Sequence, residues 1–154
     1  MTEIDLLDAL AKESADALRG FRLRSAKEKL IPINIYTQNL PVKKEKADEA
    51  QYPYVLVCFD EEEIASLGSP LAVSVYFMIG VFDPEEDRQG FRDALQIANL
   101  IYQHLFRKGI IAGVFRPDYP FRIMLQGKDT GPYFCCGIES RWELPVFSEE
   151  DEFI

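Results

Sequence analysis

Twelve consecutive residues, LAVSVYFMIGVF from Leu71 to Phe82, carry no charge and alternate in a strict two-residue rhythm. Val73, Val75, Phe77, Ile79 and Val81 fall on one side, with Ala72, Ser74, Tyr76 and Met78 between them. A period of two is the signature of a strand. One side is wholly apolar and the other half polar, so the segment belongs in a sheet covered by helix on one face. At full extension it would span about 40 Å, beyond a usual strand. Part of it is therefore expected to project as a hairpin or arm.

Other segments assemble around it. YPYVLVCFD, residues 52–60, is rich in β-formers and reads as a central strand; IPINIYTQ reads as a strand near 32–37. Gly113–Phe115 with Phe121–Leu125, and then Tyr133–Leu144, supply further strands. Two segments are helical. In residues 3–19, Ile4, Leu7, Ala11, Ala15 and Leu18 recur at helical spacing, and Gly20 suits a stop. Later, Phe91, Ala94, Leu95, Ala98, Ile101, Tyr102 and Leu105 form one stripe, followed by Arg107, Lys108 and Gly109. That ending matches the negative helix C-terminus and a left-handed cap. FRLRSAKEKL is ambiguous between helix and loop, and the polar stretch from Asn39 to Gln51 is expected to be the mobile loop. The order α-β-β-β-α-β-β predicts an α+β fold: an antiparallel or mixed sheet of about four to five strands on one major helix, with an additional N-terminal helix.

With 154 residues, the chain is expected to be a single domain: helix near 3–19, core about 32–147, and an acidic tail at 148–154. A domain of that size buries roughly 70% of its unfolded surface and needs no disulfide or metal staple. No apolar run reaches the ~20 residues of a membrane span. The acidic amphipathic start carries no secretory pattern. Three cysteines, Cys58 and the adjacent Cys135 and Cys136, make a poor disulfide framework and suit a reducing compartment.

Charge is uneven. The net charge is −9, yet residues 1–46 sum to +2 and residues 47–154 to −11. Within the first part, Arg19 to Lys46 holds eight basic and two acidic residues. An acidic body repels phosphate, so direct nucleic-acid recognition is not expected. The basic segment suits an acidic protein surface, including that of another copy.

VFDPEEDRQG packs four carboxylates between Asp83 and Asp87. Each fits helix initiation: Asp83 as N-cap, Pro84 at the first helical position, and an N3 Glu reaching back to the cap amide. Gly90 allows a break, with Asp87 as a second cap. A metal site would draw its carboxylates from separate elements, so the cluster is read as the start of a helix. His104, the sole histidine, has no nucleophile motif beside it and is read as a surface or edge-of-core residue. No catalytic residue, cofactor site or metal ligand is assigned. A remote alternative is a Mg²⁺-dependent nuclease, since Pro117-Asp118 followed by Gln126 and Lys128 is faintly similar to the metal-binding pattern of such enzymes. Strand aromatics such as Tyr52, Tyr54, Tyr76, Tyr133 and Trp142 lack the interleaved basic residues of a base-stacking platform and are read as core.

Three segments in order, YPYVLVCFDEEE, VSVYFMIGVFDPEEDRQGFRDALQIANLIYQHLFRKG and YFCCGIESRWELP, carry a family resemblance. Together they resemble the tail terminator (tail completion, minor tail) proteins of long-tailed bacteriophages and prophages. Those have a PYV strand with an acidic end, a long strand closing in a G-x-[YF]-[DE] turn, and a helix with a GYRD-x-L pattern and a basic end. A last strand then finishes aromatic–x–hydrophobic–Pro, here Trp142-Glu143-Leu144-Pro145. The resemblance covers about residues 32–147. It implies a non-enzymatic virion protein made in the bacterial cytoplasm and resident in the tail or neck. Its partners would be other copies of itself in a ring, typically hexameric, the tail tube protein and the head–tail connector, with no membrane involved. Arg22, Arg24, Lys43, Lys44 and Lys46 are the candidate contact residues, and reversing them should weaken assembly in a salt-dependent way. The other alternative is a cytosolic binding or adaptor module.

Overall fold

The alternation of Leu71–Phe82 is realised along its whole length. In the computed structural model, which describes residues 2–24, 30–39, 51–83, 89–125 and 132–145, these twelve residues form one strand with every inner position buried. The elements are α1 (Glu3–Ala17), β1 (Arg22–Arg24), β2 (Leu30–Pro32), β3 (Asn34–Thr37), β4 (Tyr54–Glu63), β5 (Leu71–Phe82), α2 (Gln89–Lys108), β6 (Arg116–Pro117), β7 (Arg122–Leu125) and β8 (Tyr133–Leu144). The class is α+β: two helices, a six-stranded mixed sheet and a separate two-stranded hairpin.

The sheet runs β3-β4-β5-β8-β6, and β7 also pairs with β8. β3 is parallel to β4; every other pairing in the sheet is antiparallel. β5 and β8 pair from Leu71↔Leu144 to Phe82↔Tyr133, so β5 is flanked throughout and no part of it projects as an arm. The free-standing hairpin is instead β1–β2, from the stretch that reads ambiguously as helix or loop.

Both helices lie on one face. α1 crosses β3 and β4, α2 crosses β5 and β8, and the helices touch each other. Beneath them Val55, Val57, Val73, Val75, Phe77, Ile79, Ile138 and Trp142 form a closed apolar layer. One polar pair interrupts it: buried Ser140 donates its hydroxyl to the Val75 carbonyl at 2.7 Å and accepts the Trp142 indole N–H at 2.9 Å. The only indole in the chain is thereby satisfied, as burial demands.

α1 starts on a capping box. Thr2 donates its backbone N–H to Asp5 at 2.8 Å, and its hydroxyl accepts the Asp5 N–H at 3.4 Å. Its buried side is Leu6, Leu7, Leu10, Glu13 and Ser14, rotated from the expected stripe: Ile4 and Ala15 face solvent. In α2 the buried positions are Gly90, Ala94, Ile97, Ala98, Ile101 and Leu105; the expected stripe omits Ile97 and includes the exposed Phe91. Gly109 closes α2 in the left-handed region at φ 71°, donating to the Leu105 carbonyl at 3.0 Å. Gly90 sits within the first turn and does not break the helix; a Cβ there would run into the Phe134 ring. Glu85, Glu86 and Asp87 lie outside the described residues. Asp83 extends the strand pairing by donating its N–H to the Pro132 carbonyl at 2.7 Å.

Two boundaries differ from expectation. β4 continues through Asp60 to Glu63, with a β-bulge at Asp60 that slips the register by one residue. Residues 112–114 form a turn closed by an Ile111↔Phe115 bridge, and the strand begins only at Arg116.

Candidate functional site

The face of the sheet opposite the helices carries the side chains that alternate with the core. It is bare of helix among the described residues. Its outer half is a layer of phenols. Tyr54 and Tyr52 lie on Gly80, and Tyr76 lies on Gly137, so each glycine makes room for a ring on the neighbouring strand. Tyr54, Tyr52, Tyr133 and Phe82 then touch in that order, edge-on or tilted, with ring centroids 5.0–5.4 Å apart. Tyr54 is only 3% exposed, and burial drives its phenol well above the ordinary tyrosine value; Tyr36 and Tyr76 are raised by the same cause. Aromatics placed in the core by sequence thus divide: Trp142, Phe77 and Phe115 are in it, while these tyrosines pave the other face.

Two thiols, Cys58 and Cys135, share the same region, and the third, Cys136, lies on the covered face. Burial raises Cys58 and Cys135, and pushes Cys136 up to about 11. At neutral pH all three are thiols rather than thiolates, so they pack as small apolar groups and lack nucleophilic character.

Toward Asp60 and Arg141 this face becomes charged. Asp60, Glu61, Tyr76, Arg122, Glu139 and Arg141 line a shallow depression of about 340 Å³. Both of its arginines are paired. Arg122 pairs with Glu139 at 3.1 Å, and Arg141 pairs with Asp118 at 3.1 Å and Glu63 at 3.7 Å. Asp118, the expected metal ligand of the nuclease alternative, is thus engaged by a guanidinium; Gln126 and Lys128 lie outside the described residues. Among the described residues no three His, Cys, Asp or Glu side chains converge as a metal site. His104 sits where α1 meets α2. Its Nε2 is 3.0 Å from Glu13, which is 7% exposed and also meets Lys108 at 3.3 Å. That trio clamps the two helices together.

A second depression is less balanced. A groove of about 500 Å³ lies between the first turns of α1 and the outer margin of β4, lined by Glu3, Ile4, Leu7, Asp8, Thr37, Gln38, Phe59 and Glu62. It exists because β3 is short. At Gln38 the backbone turns left-handed (φ 64°), and its side-chain carbonyl accepts the Phe59 N–H at 2.9 Å. Beyond Val57, no described strand pairs with β4 on that side. The walls are apolar where Ile4, Leu7 and Phe59 stand, with Ile4 67% exposed. The rim is acidic. Glu62 is raised above the ordinary carboxyl value, chiefly because it hydrogen-bonds the carboxyl of Glu3, then by burial and the Glu3 charge. Among the described residues no cation pairs with Glu3, Asp8 or Glu62.

The sequence-derived contact residues lie elsewhere. Arg22 is exposed on β1, opposite Pro32, and Arg24 is opposite Leu30 on the same hairpin. Lys43, Lys44 and Lys46 lie outside the described residues. Leu23, across from Ile31, packs inward against the core, which turns the Arg22 side outward. No protein-family model matches the chain, and no curated protein matches it significantly. The α1–β4 groove went unread in the sequence, although FDEEE at a strand's end signals it: a bulge at Asp60 sets Glu62, rather than Glu61, on the helix side.

Proposed function

We propose that this chain is a structural assembly protein of a long-tailed bacteriophage or prophage, a tail terminator. In this reading it forms a ring that caps the tail tube and offers a docking face to the head connector. It acts by presenting shaped and charged surfaces to other polypeptides, and no covalent bond is made or broken. One observation carries the reading. The three stretches that resemble tail terminators fold together as one contiguous unit, β4–β5–α2–β8, with the helix on the paired strands. A family likeness spread over unconnected surface elements would lack that coherence.

Charge adds support. A cyclic ring uses heterologous contacts, in which one patch meets a different patch on the next copy. A chain with a basic hairpin segment and an acidic body of net −11 has two such unlike patches. The test is light scattering and negative-stain electron microscopy of the purified chain, alone and with the polymerising tube protein from the same genome. The expected result is a ring-sized particle, formed alone or on the tube, and tubes that stop growing when the chain is added. A monomer under both conditions, with tube growth unaffected, would overturn the reading.

A further inference from the structure

The α1–β4 groove has the character of a receptor, and the complementary surface is found on the same chain. The groove combines apolar walls, three carboxylates without a cation partner among the described residues, and a strand margin, Asp60–Glu63, without a described neighbour. Exposed margins invite pairing with another chain. A run of four acids discourages two such margins from meeting each other and favours a basic strand instead.

The β1–β2 hairpin offers what the groove lacks. It stands apart from the main sheet, and its outward residues include Arg22 and Leu30, the latter 70% exposed. Among the described residues Arg22 has no acidic partner. A chain cannot satisfy its own groove with its own hairpin. The groove opens at the first turns of α1, the hairpin follows the last turn of that helix, about 22 Å long, and no residue of β1 or β2 lines the groove. Donor and acceptor are therefore distinct patches on one body, which is the requirement for head-to-tail contact.

We propose that the β1–β2 hairpin of one copy seats in the α1–β4 groove of the next, with Arg22 facing Glu3 and Glu62 and Leu30 against Ile4 and Phe59. This rests on the ring reading above and names the contact that builds the ring. Electrostatic attraction across the contact is screened by salt, so association weakens as ionic strength rises.

Sedimentation of four proteins tests it: the parent chain, its Arg22→Glu variant, its Glu62→Arg variant and the double variant carrying both. Both positions are exposed, so thermal melting by circular dichroism should be unchanged and serves as the folding control. Each single reversal should weaken self-association about tenfold. Mixed together, the two single variants should assemble again with the copies alternating. Every contact between unlike copies sets a basic side chain against an acidic one, whereas like copies oppose two acids or two bases. The double variant carrying both reversals should regain the parent's assembly. Parent assembly that survives both single reversals overturns the hairpin–groove contact and leaves the ring reading standing. A parent chain that stays monomeric alone and with tube protein overturns the ring reading, and this contact with it.

Discussion

The two faces of the sheet are built from the same strands yet solve burial differently. Beneath the helices, branched and aromatic side chains from β4, β5 and β8 interlock with α1 and α2 until Val55, Val57, Phe77, Ile79 and Trp142 are fully buried. On the opposite face no described element supplies a second layer, and the strands cover themselves: tyrosine side chains pack over Gly80 and Gly137. The covered face gains its stability from two layers pressed together. The bare face gains it from rings lying on glycine, which keeps the surface half-open and leaves its charged end in water. This contrast predicts how each face responds to damage.

The largest effect belongs to the covered face. Phe77 lies at its centre, paired with Val57 and Ile138, with no exposed surface. Phe77→Ala should cost about 3–5 kcal/mol, because the cavity is walled by α2 and the flanking strands β4 and β8, which cannot collapse into it. Urea unfolding followed by circular dichroism measures this. A cost near 1 kcal/mol would mean the helix layer is loosely packed and the two faces are less different than described.

Next come the glycines of the bare face, which should not be equivalent. A methyl group at Gly80 meets the rings of Tyr54 and Tyr52, and Tyr54 is itself nearly buried with little room to move. At Gly137 the obstacle is the hydroxyl end of Tyr76, a half-exposed side chain that can swing into solvent. Gly80→Ala should therefore cost about 1–3 kcal/mol and Gly137→Ala clearly less, measured in the same urea series. Equal costs would show that Tyr76 is held as firmly as Tyr54.

Much of this architecture is legible in the sequence, and the failures have causes. β5 and β8 fall on the residues that alternation predicts, because twelve alternating residues leave no other register. α2 ends where Arg107, Lys108 and Gly109 say it should. The misreadings gather at the margins. β1 has only three residues, two of them arginine, so neither periodicity nor propensity marks it. β4 reads as ending at Asp60 because carboxylates are poor strand formers; pairing with β5 as far as Glu63↔Ala72 overrides that preference. The groove depends on where β3 stops, and a left-handed Gln38 has no sequence signature. Ile4 is the same lesson in a helix: spacing alone places it inward, but its position before the first full turn sets it on the groove wall.

The faces should also separate in alkali. Ionisable groups on the bare face include Tyr36, Tyr54, Tyr76, Cys58 and Cys135, each raised by burial. The covered face holds one such thiol, Cys136, at about 11. A group whose folded value is raised contributes stability that is complete below its unfolded value and is lost as pH climbs toward the folded one. For phenols that loss begins near pH ~10, and for thiols near ~8.5. Stability should thus be flat around neutrality and decline through the alkaline range. Tyr54→Phe removes the most strongly raised phenol, so the variant should unfold at higher pH than the parent in a circular dichroism series. An unchanged alkaline midpoint would mean that Tyr54 reaches water as readily folded as unfolded.

The smallest effect should come from the charged end of the bare face. Arg122 and Glu139 are paired at 3.1 Å, but their side chains are 64% and 46% exposed. Water competes for both ions, and fixing two long side chains offsets most of the Coulomb gain. Arg122→Ala should change stability by no more than about 0.5 kcal/mol. Arg141 has more to lose, since it spans Asp118 on the β6–β7 connection and Glu63 at the end of β4. Its alanine variant frees two carboxylates on elements that no backbone ladder joins directly, so it should exceed Arg122→Ala while staying well below Gly80→Ala. The salt dependence separates the two causes: raising ionic strength should erase the difference between Arg141→Ala and the parent, while the Gly80→Ala deficit persists. A deficit at Arg141 that survives high salt would mean that the guanidinium stem is packed as core, and that the bare face extends its ring-covered layer further toward Asp60 than the ion pairs suggest.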